Sequence, residues 1–536
     1  MRDIQLPGRS VAMSTEAMAA TSQPVATETA LQVLRDGGNA LDAAIAASAV
    51  LSVVESYSSG IGGDCFILYH EAATGKLHAL NGSGRAPAAA NAATIRRRGF
   101  DSIPKKGILS VTVPGAIDAW CEASQKLGKL DFASLLQPAI HYAEQGYAVT
   151  PVIAHNWQAD KHPCGNNVAL LAETPEASAA YLVDGKAPAA GTIHRQPDLG
   201  RSLRTIASQG RDGFYQGEIA AEIVRFSDTH DGLFSLEDFA NHESEWVEPI
   251  SSNYRGYDVF EIPPNSQGIT TLMALNILEQ TEVSRLPHLG ADHVQLLSEA
   301  FALAMAERNR FIGDPLFNEL PVAQLLSNEF AQSQYARINL GTALPDPIES
   351  ALPNHRDTVY LTVVDKDRNA CSFINSVFSS WGSGLVAGST GINLQNRGSA
   401  FSLEEGHFNQ IEPGKRPLHT IIPAMVYREG KPVLSFGVMG GQYQAMGQVY
   451  VLSNWIDYGM DIQQALDAAR FFLYAGTLEV ETGVPEATRA DLSARGHNVV
   501  AAQSPWGGGQ AIVIDWENGV LHGGSEPRKD GHAAGF

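Results

Sequence analysis

Hydrophobic and polar positions along the first part of the chain change from a helical to a strand-like spacing. In residues 27–55, "TETALQVLRDGGNALDAAIAASAVLSVVE", apolar residues recur at helical intervals and are interrupted by Gly37 and Gly38. This pattern predicts two helices separated by a glycine stop. After the loop "SGIGGD", residues 65–84, "CFILYHEAATGKLHALNGSG", predict a strand, a tight turn and a second strand.

The rest of the chain divides near residue 357. The middle third, about residues 109–340, has mostly helical patterns such as "FASLLQPAIHYAEQGY" and "ADHVQLLSEAFALAMAERNRFIGD". It ends in "GTALPDPIESALPNHRD", which has no usable period and is rich in Pro, Asp and small residues. From Thr358 onward the pattern predicts strands: "TVYLTVVD", "ACSFINSVF", "TIIPAMVYR" and "VLSFGVMGG". This change is the strongest compositional boundary in the sequence.

Length and charge limit the classes of protein that remain. A chain of 536 residues exceeds one ordinary core, so we expect two domains or one large fold with insertions. With 37 basic and 58 acidic residues, its formal charge of −21 disfavours nucleic acid and anionic membranes as partners. No apolar run is long enough for a membrane span, and no secretory signal is visible.

Known cofactor and metal motifs are missing from the sequence. "SGIGGD" lacks the spacing of a dinucleotide-binding loop, and neither a P-loop nor a G-x-S-x-G motif occurs. The 16 histidines form no compact ligand set, so we expect neither a metal nor a cofactor. The four scattered cysteines suggest reduced thiols rather than a disulfide framework, and the cytoplasm is the expected compartment.

Thr358 is the candidate for nucleophilic chemistry. It opens a predicted strand directly after the irregular segment. A threonine hydroxyl needs an adjacent base, and its own α-amine, with a pKa of about 7.7–8.0, can serve once the preceding peptide bond is cut. The alternative is structural, because β-branched residues commonly open strands.

Several blocks resemble the γ-glutamyltranspeptidase family of self-cleaving N-terminal nucleophile hydrolases. They are "DTVYLTVVDKDRNACSFINSVFSSWGSGLVAGSTGINLQNRGSAFS", "GKRPLHTIIPAM" and "GVMGGQYQ", with "GGNALDAAIAASAVLSVVE", "SGIGGD", "VPGAIDAW" and "AERNRFIGDP" earlier in the chain. The resemblance implies an α+β fold, a four-layer αββα sandwich. It also implies a large subunit, 1–357, and a small subunit, 358–536, sharing one core after self-cleavage between Asp357 and Thr358.

The resemblance assigns the catalytic roles residue by residue. Thr358 matches the nucleophile and new N-terminus. In "INSVF", Ser376 matches a hydroxyl that contacts the nucleophile, and Asn375 precedes it as a substrate-binding candidate. Gly440 and Gly441, in "VMGGQ", match the glycine pair of the oxyanion hole, where residues without side chains let backbone N–H groups approach the developing charge.

The chain departs from the family where an amino acid would be recognised. Where the family has an arginine that grips the α-carboxylate, "NGSGRAP" has Ser83, and an arginine, Arg85, follows two residues later. The acidic pair that binds the α-amino group is replaced by Ser399 and Ala400. The resemblance therefore implies that the acyl-transfer chemistry is kept and the ammonium pocket is lost.

Two further substitutions change the predicted pocket. His419 and Thr420 replace a serine pair, and Phe378 replaces an asparagine. Arg85 and His419 are candidates to hold a substrate carboxylate, with Thr420 beside them. For Arg85 the alternative is a structural ion pair.

The predicted function is that of a threonine amidohydrolase acting through an acyl-enzyme, with water as acceptor, on a small carboxylate-bearing amide such as oxamate. Two alternatives stay open: a γ-glutamyl hydrolase or transferase acting on glutathione, and an uncleaved, non-catalytic family member. The expected partners are a small-molecule substrate and the two subunits of one precursor, without nucleic acid or membrane. The sequence leaves homo-oligomerisation open.

Overall fold

The computed structural model of the chain describes residue 5 and residues 8–159, 163–345 and 358–536. The strands in these ranges are β1 (Ala12–Ser14), β2 (Met18–Thr21), β3 (Asp64–Glu71), β4 (Lys76–Gly82), β5 (Tyr147–Ala148), β6 (Ile193–His194), β7 (Glu245–Val247), β8 (Ile250–Tyr254), β9 (Tyr257–Glu261), β10 (Val359–Val364), β11 (Ala370–Ser376), β12 (Ala424–Arg428), β13 (Lys431–Met439), β14 (Phe471–Tyr474), β15 (Thr477–Val480), β16 (Val499–Ala501), β17 (Gly508–Asp515), β18 (Val520–Ser525) and β19 (His532–Gly535).

The α-helices of the same ranges are α1 (Pro24–Arg35), α2 (Ala40–Val54), α3 (Ala92–Arg97), α4 (Ala116–Leu127), α5 (Phe132–Leu135), α6 (Gln137–Gln145), α7 (Pro151–Gln158), α8 (Asn167–Leu171), α9 (Pro175–Tyr181), α10 (Pro197–Gln209), α11 (Arg211–Tyr215), α12 (Glu218–Thr229), α13 (Leu236–Ala240), α14 (Gly268–Leu278), α15 (Ala291–Phe311), α16 (Val322–Leu325), α17 (Asn328–Tyr335), α18 (Tyr443–Ile456), α19 (Ile462–Asp467) and α20 (Glu486–Ala494).

Two seven-stranded sheets form the centre of the described structure. The first has the order β1-β18-β17-β13-β12-β9-β8, and the second has the order β19-β2-β10-β11-β3-β4-β7. All strand pairs in both sheets are antiparallel. A three-stranded sheet of β14–β16 and a two-stranded sheet of β5 and β6 lie outside them.

Strand β10 shows how the layers stack, because all of its residues are buried and successive side chains point to opposite faces. Leu361 and Val363 join a core that the second sheet shares with α1, α2, α4, α6 and α10. Tyr360 and Val364 join a core between the two sheets. The far face of the first sheet packs on α14, α15, α18 and α19. The predicted four-layer αββα sandwich is confirmed.

Both sheets draw strands from each side of residues 346–357. The second sheet combines β2, β3, β4 and β7 with β10, β11 and β19, and the first combines β1, β8 and β9 with β12, β13, β17 and β18. The chain segments before and after this interval therefore share one inter-sheet core. The division into two subunits at this point stays a prediction, and Asp357 lies outside the described residues.

The predicted elements of the N-terminal part are confirmed. Helices α1 and α2 flank Gly37, whose φ of 95° suits the glycine stop, and β3 and β4 form the predicted strand pair. The prediction that the middle third is mostly helical did not include strands β7, β8 and β9. These strands are short and only half-buried, so their alternation is weak in sequence.

The strand predicted from Thr420 begins only at Ala424. The carbonyls of His419 and Thr420 accept hydrogen bonds from the backbone N–H and the side-chain amide of Gln267, at 2.9 and 2.7 Å. Because Gln267 occupies these carbonyls, this segment lies outside the β12 ladder. Its position brings two predicted site residues to the end of the sandwich.

Two observations bear on the environment of the protein. Across the described ranges, no helix is both long enough and apolar enough to cross a bilayer. Cys65, Cys121 and Cys371 are free thiols.

A buried carboxyl group at the end of α2 leads to a pH-dependent prediction. Glu55 is 1% exposed and accepts hydrogen bonds from the hydroxyls of Ser22 and Tyr57. Burial raises the pKa of Glu55 to about 7, against the opposing charge of Lys529. Because the pKa of Glu55 is higher in the folded protein than the unfolded-state value of 4.5, its neutral form stabilises the fold. This contribution to the free energy of unfolding is fully present below pH 4.5 and is lost as the pH rises through about 7.

We therefore expect Glu55→Gln to gain stability relative to the parent chain between pH 5 and pH 8. The amide stays neutral, whereas ionising Glu55 costs up to about 3 kcal/mol. The measurement is the difference in Tm between the two proteins at each pH, with Glu28→Gln, at an exposed helical position, as the control. A difference that is constant across this range would contradict the prediction.

Candidate active site

The register of the second sheet places four polar residues in one row. Ser376 at the end of β11 pairs with Asp64 at the start of β3. One step beyond the last pairs of the neighbouring ladders, Thr358 lies opposite Ser376 and Ser83 lies opposite Asp64. The row thus crosses four adjacent strands at one end of the sheet.

This row faces the space between the two sheets. Strand side chains two positions apart share a face, and Tyr360, Ile374 and Phe66, each two positions along its own strand, all belong to the inter-sheet core. The site therefore lies where that core reaches the end of the sandwich. The turn that follows β13 and the segment that precedes β12 supply groups from the first sheet.

The Thr358 hydroxyl is buried beside a second hydroxyl. Its Oγ1 lies 3.1 Å from Oγ of Ser376, and both residues are fully buried. Ser376 Oγ also accepts a hydrogen bond from the Phe378 N–H at 2.9 Å. These contacts fix the orientation of Ser376 against the candidate nucleophile. Its predicted neighbour Asn375 instead donates to Ser59 Oγ, at 3.0 Å, and to the Gly60 carbonyl, at 3.1 Å, and holds the preceding loop.

Asp64 organises the middle of the row and was not recognised from the sequence. Its Oδ1 accepts from the N–H groups of Gly84 and Gly115, at 2.9 and 3.1 Å, and from the Gln395 amide, at 2.9 Å. Its Oδ2 contacts Nε2 of His419 at 2.9 Å. Burial raises the pKa of Asp64, but its hydrogen bonds with His419 and Gln395 and the positive charge of Arg397 bring it below its ordinary value. Asp64 is therefore an anion at neutral pH.

His419 is neutral in this arrangement. Burial and the nearby Arg397 charge lower the pKa of His419 to about 4, against the effect of Asp64. Its Nδ1 accepts the Ile421 N–H at 3.3 Å, so the ring proton is on Nε2 and is donated to Asp64. His419 thus brings Asp64 and the segment before β12 together but carries no charge at neutral pH.

Asp64→Asn is expected to destabilise the protein by about 3 kcal/mol, because the new amide N–H groups would face the buried donors that now bind the carboxylate. The measurement is thermal or denaturant unfolding, with Asp367→Asn as the control. Asp367 is exposed and contacts only Lys129 as an ion pair among the described residues. A loss below about 0.5 kcal/mol, the usual range for surface positions, would contradict the assignment of Asp64.

Gly440 and Gly441 form the turn after β13. Their φ values of 125° and 58° lie in the region that favours glycine, and a Cβ on Gly440 would lie 2.9 Å from Cα of Gly507. The Gly441 carbonyl accepts from the Gln267 amide at 3.0 Å, the same amide that bonds the Thr420 carbonyl. Gln267 therefore fixes the glycine turn against the segment that carries His419. The oxyanion-hole role of this pair stays a prediction.

Arg308, on α15, supports the same turn from behind. It is fully buried, and its Nη1 donates to the side-chain oxygens of Gln267 and Gln442. Its Nε and Nη2 donate to Oδ1 of Asn309. Burial lowers the pKa of Arg308 to about 10, so it remains a cation at neutral pH.

The predicted carboxylate ligand Arg85 has protein partners. Its Nη2 contacts Oε1 of Glu245, its Nη1 donates to the Gly414 carbonyl at 3.1 Å, and Asp314 lies 3.7 Å away. Arg85 is thus part of an ion-pair group, the alternative considered for it from the sequence. A role in substrate binding stays a prediction.

Ser83, which the resemblance places where the family has an arginine, is fully buried. Its hydroxyl donates to Oδ1 of Asn81 at 2.8 Å and accepts from Asn265 Nδ2 at 3.2 Å. This position therefore contributes a satisfied neutral hydroxyl and no charge.

Arg397 is a second residue that sequence reasoning missed. Its guanidinium lies 4.0 Å from the centre of the Phe378 ring, and its Nη1 donates to the predicted site residue Thr420 at Oγ1, at 2.9 Å. Nothing in the stretch "QNRGSAF" distinguishes it from an exposed loop arginine, although it is fully buried. Within the described residues, no cluster of three or more His, Cys, Asp or Glu residues has a metal-binding arrangement.

The αββα sandwich with a threonine hydroxyl at the start of a central strand defines the class of N-terminal nucleophile hydrolase folds. A family model described as Gamma-glutamyltranspeptidase matches residues 26–536. The chain belongs to the γ-glutamyltranspeptidase family.

Individual relatives match over almost their whole length. The chain is 38% identical to a glutathione hydrolase-like proenzyme, YwrD, of Bacillus subtilis, covering 98% of this chain and 99% of that protein. It is 33% identical to the oxamate amidohydrolase proenzyme of Klebsiella pneumoniae, with coverage of 98% and 99%. The crystal structure of a cephalosporin acylase from Bacillus halodurans superposes with a TM-score of 0.92 at 39% identity, covering 100% and 99% of the two chains.

Proposed function

We propose that this protein is a self-processing N-terminal threonine amidohydrolase that cleaves a small carboxylate-bearing amide such as oxamate. The observation that carries the proposal is the position of Thr358, whose buried hydroxyl lies 3.1 Å from Ser376 at the start of a central strand. Several relatives are named as proenzymes, which supports processing of one precursor into two subunits.

Processing is an acyl shift followed by hydrolysis. Thr358 Oγ1 attacks the carbonyl carbon of Asp357, the C–N bond breaks, and the threonine nitrogen takes a proton and becomes the α-amine. Water then hydrolyses the resulting ester, which releases the main-chain carboxylate of Asp357 and restores the Thr358 hydroxyl.

Turnover repeats the same chemistry on the substrate. The α-amine of Thr358 accepts the hydroxyl proton as Oγ1 attacks the amide carbonyl, and it returns this proton to the leaving nitrogen. The N–H groups of Gly440 and Gly441 stabilise the oxyanion, a contribution worth about 2.7–4 kcal/mol per donor in other enzymes. Water hydrolyses the acyl-enzyme to release the acid and the free threonine.

The substrate class is inferred from charge. Ala400, which takes the place of an acidic residue of the family, is 2% exposed and apolar, so an α-ammonium group would be desolvated there without a counter-charge. The relatives named oxamate amidohydrolase and cephalosporin acylase support an amidase that acts on substrates other than glutathione. We propose the cytoplasm as the compartment, in keeping with the free thiols of Cys65, Cys121 and Cys371.

Glutathione hydrolysis or γ-glutamyl transfer is the second candidate, and the similarity to the glutathione hydrolase-like protein of Bacillus subtilis favours it.

Purified protein should first be separated by denaturing electrophoresis, because a catalytic member is cleaved and a non-catalytic member is not. Release of ammonia from oxamate is then compared with hydrolysis of glutathione. A kcat/KM for glutathione at least tenfold higher, about 1.4 kcal/mol in transition-state binding, would replace the first candidate by the second.

A further inference from the structure

Arg397 holds a buried positive charge without a direct counter-charge. The residue is fully buried, and no carboxylate within the described ranges lies at ion-pair distance from it. Asp64 acts on it through space, while the Asp64 oxygens are occupied by backbone N–H groups, Gln395 and His419. A buried charge without a partner costs several kcal/mol, so this position calls for an anion.

Two donor nitrogens on one edge of the Arg397 guanidinium group have no assigned acceptor. Nη1 donates to Thr420 Oγ1, and the Phe378 ring covers one face of the guanidinium group. Nε and Nη2 are buried and have no hydrogen-bond partner among the residues that the structure describes. These two nitrogens are the parallel donors that bind both oxygens of a carboxylate.

Short chains of contacts link Arg397 to both parts of the predicted catalytic machinery. Phe378, which lies against the guanidinium, donates its N–H to Ser376 beside Thr358. Thr420, which holds Nη1, is bonded through its carbonyl to the Gln267 amide, which also binds the Gly441 carbonyl. Arg397 is thus connected to the candidate nucleophile through Phe378 and to the glycine turn through Thr420.

We propose that the Nε and Nη2 groups of Arg397 bind the carboxylate of the substrate's acyl part and thereby select acidic amides. This inference rests on the proposed amidohydrolase function and names the residue that determines its specificity. Arg85 pairs with Glu245 and Asp314, and His419 is neutral, so neither offers a comparable unpaired charge. Thr420 and Phe378 position the guanidinium without contacting the substrate carboxylate.

The test uses oxamate and oxamide, which differ only by replacement of the carboxylate with a neutral amide. We expect Arg397→Gln to lower kcat/KM for oxamate by roughly 100-fold, the usual scale for loss of a buried charged contact, and to change oxamide turnover by less than about threefold. Arg397→Lys keeps the charge without the paired donors and should fall between. Arg204→Gln is the matched control, because Arg204 is an exposed partner of Glu144. Each variant is first checked for cleavage before Thr358 by electrophoresis.

The rival variant is Arg85→Gln. If the selectivity for oxamate over oxamide is lost in Arg85→Gln and kept in Arg397→Gln, the proposal is overturned in favour of Arg85. An equal loss on both substrates in Arg397→Gln, together with a lower Tm, would show a structural role and also overturn it. We expect instead that the Tm of ligand-free Arg397→Gln stays close to that of the parent protein, since removing a buried charge without an ion-pair partner offsets the loss of its through-space effect on Asp64.

Binding of an anion to Arg397 can be measured without catalysis, so it tests the role of Arg397 separately from the proposed amidohydrolase function. If the parent protein hydrolyses neither compound, the oxamate assignment fails, but oxalate remains a probe of the guanidinium edge. We expect oxalate to raise the Tm of the parent protein and of Arg204→Gln, and to leave the Tm of Arg397→Gln unchanged. Equal stabilisation of all three proteins would overturn the role of Arg397 independently of catalysis.

Discussion

Replacement of Thr358 by alanine is expected to leave one uncleaved chain of 536 residues without amidase activity. The same hydroxyl serves self-cleavage and turnover, and no other group in the row can substitute as an N-terminal nucleophile. Thr358→Ser keeps the hydroxyl and should be processed, at a reduced rate. The measurements are denaturing electrophoresis, N-terminal sequencing of the smaller band and ammonia release from oxamate.

Thr362→Ala provides the matched control for this result. Thr362 lies four residues further along β10 and contacts Ser435 Oγ at 2.7 Å across the two sheets, so it tests loss of a buried threonine hydroxyl without the reacting position. We expect it to be processed and active. Complete cleavage of the Thr358→Ala chain would remove Thr358 from the mechanism.

Glutaryl-p-nitroanilide should be hydrolysed at least tenfold better, in kcat/KM, than γ-glutamyl-p-nitroanilide. The two compounds differ only in the α-ammonium group, and the proposed pocket has Ala400 in place of the family's carboxylate and a buried cation, Arg397, nearby. Both features penalise a desolvated ammonium group. The measurement is the initial rate of p-nitroaniline release by processed enzyme over a range of substrate concentrations.

Glu404 and Glu405, four and five residues after Ala400 in the sequence, are the alternative carriers of the missing negative charge. Both are exposed, whereas Ala400 is buried. A preference for the γ-glutamyl compound would contradict the charge argument, and its loss in Glu404→Gln or Glu405→Gln would identify the group responsible. The proposed nucleophile would be unaffected by that outcome.

The start of β10 was predictable because it depends on a local pattern, whereas the four-layer arrangement was implied by the family resemblance. The nearly continuous apolar run in "TVYLTVVD" marks a strand buried on both faces, and the preceding irregular segment marks its beginning. The glycine stop between α1 and α2 is another local feature. By contrast, β7–β9 are half-exposed, and their pairing depends on residues distant in the sequence.

The organisation of the site was less accessible to sequence reasoning, since it depends on contacts between distant segments. Asp64 and His419 are separated by 355 positions, and nothing near either one indicates the other. Arg397 and Arg85 are both loop arginines in sequence. Arg85 has carboxylate partners, whereas Nε and Nη2 of Arg397 have no hydrogen-bond partner in the part of the chain that the structure describes. The two arginines differ in burial and in the strand register around them, and neither property can be inferred from the residues next to them in the sequence.

The interleaving of strands across residues 346–357 has a consequence for the lifetime of the active protein. A cut before Thr358 leaves the contacts within both seven-stranded sheets in place, but it converts one molecule into two fragments that each lack part of both of these sheets. Once unfolded, these fragments must meet again, so recovery becomes concentration-dependent and competes with aggregation. Durability of the cleaved protein is then governed by the height of its unfolding barrier, and an enzyme that refolds readily as a precursor would lose that ability on maturation.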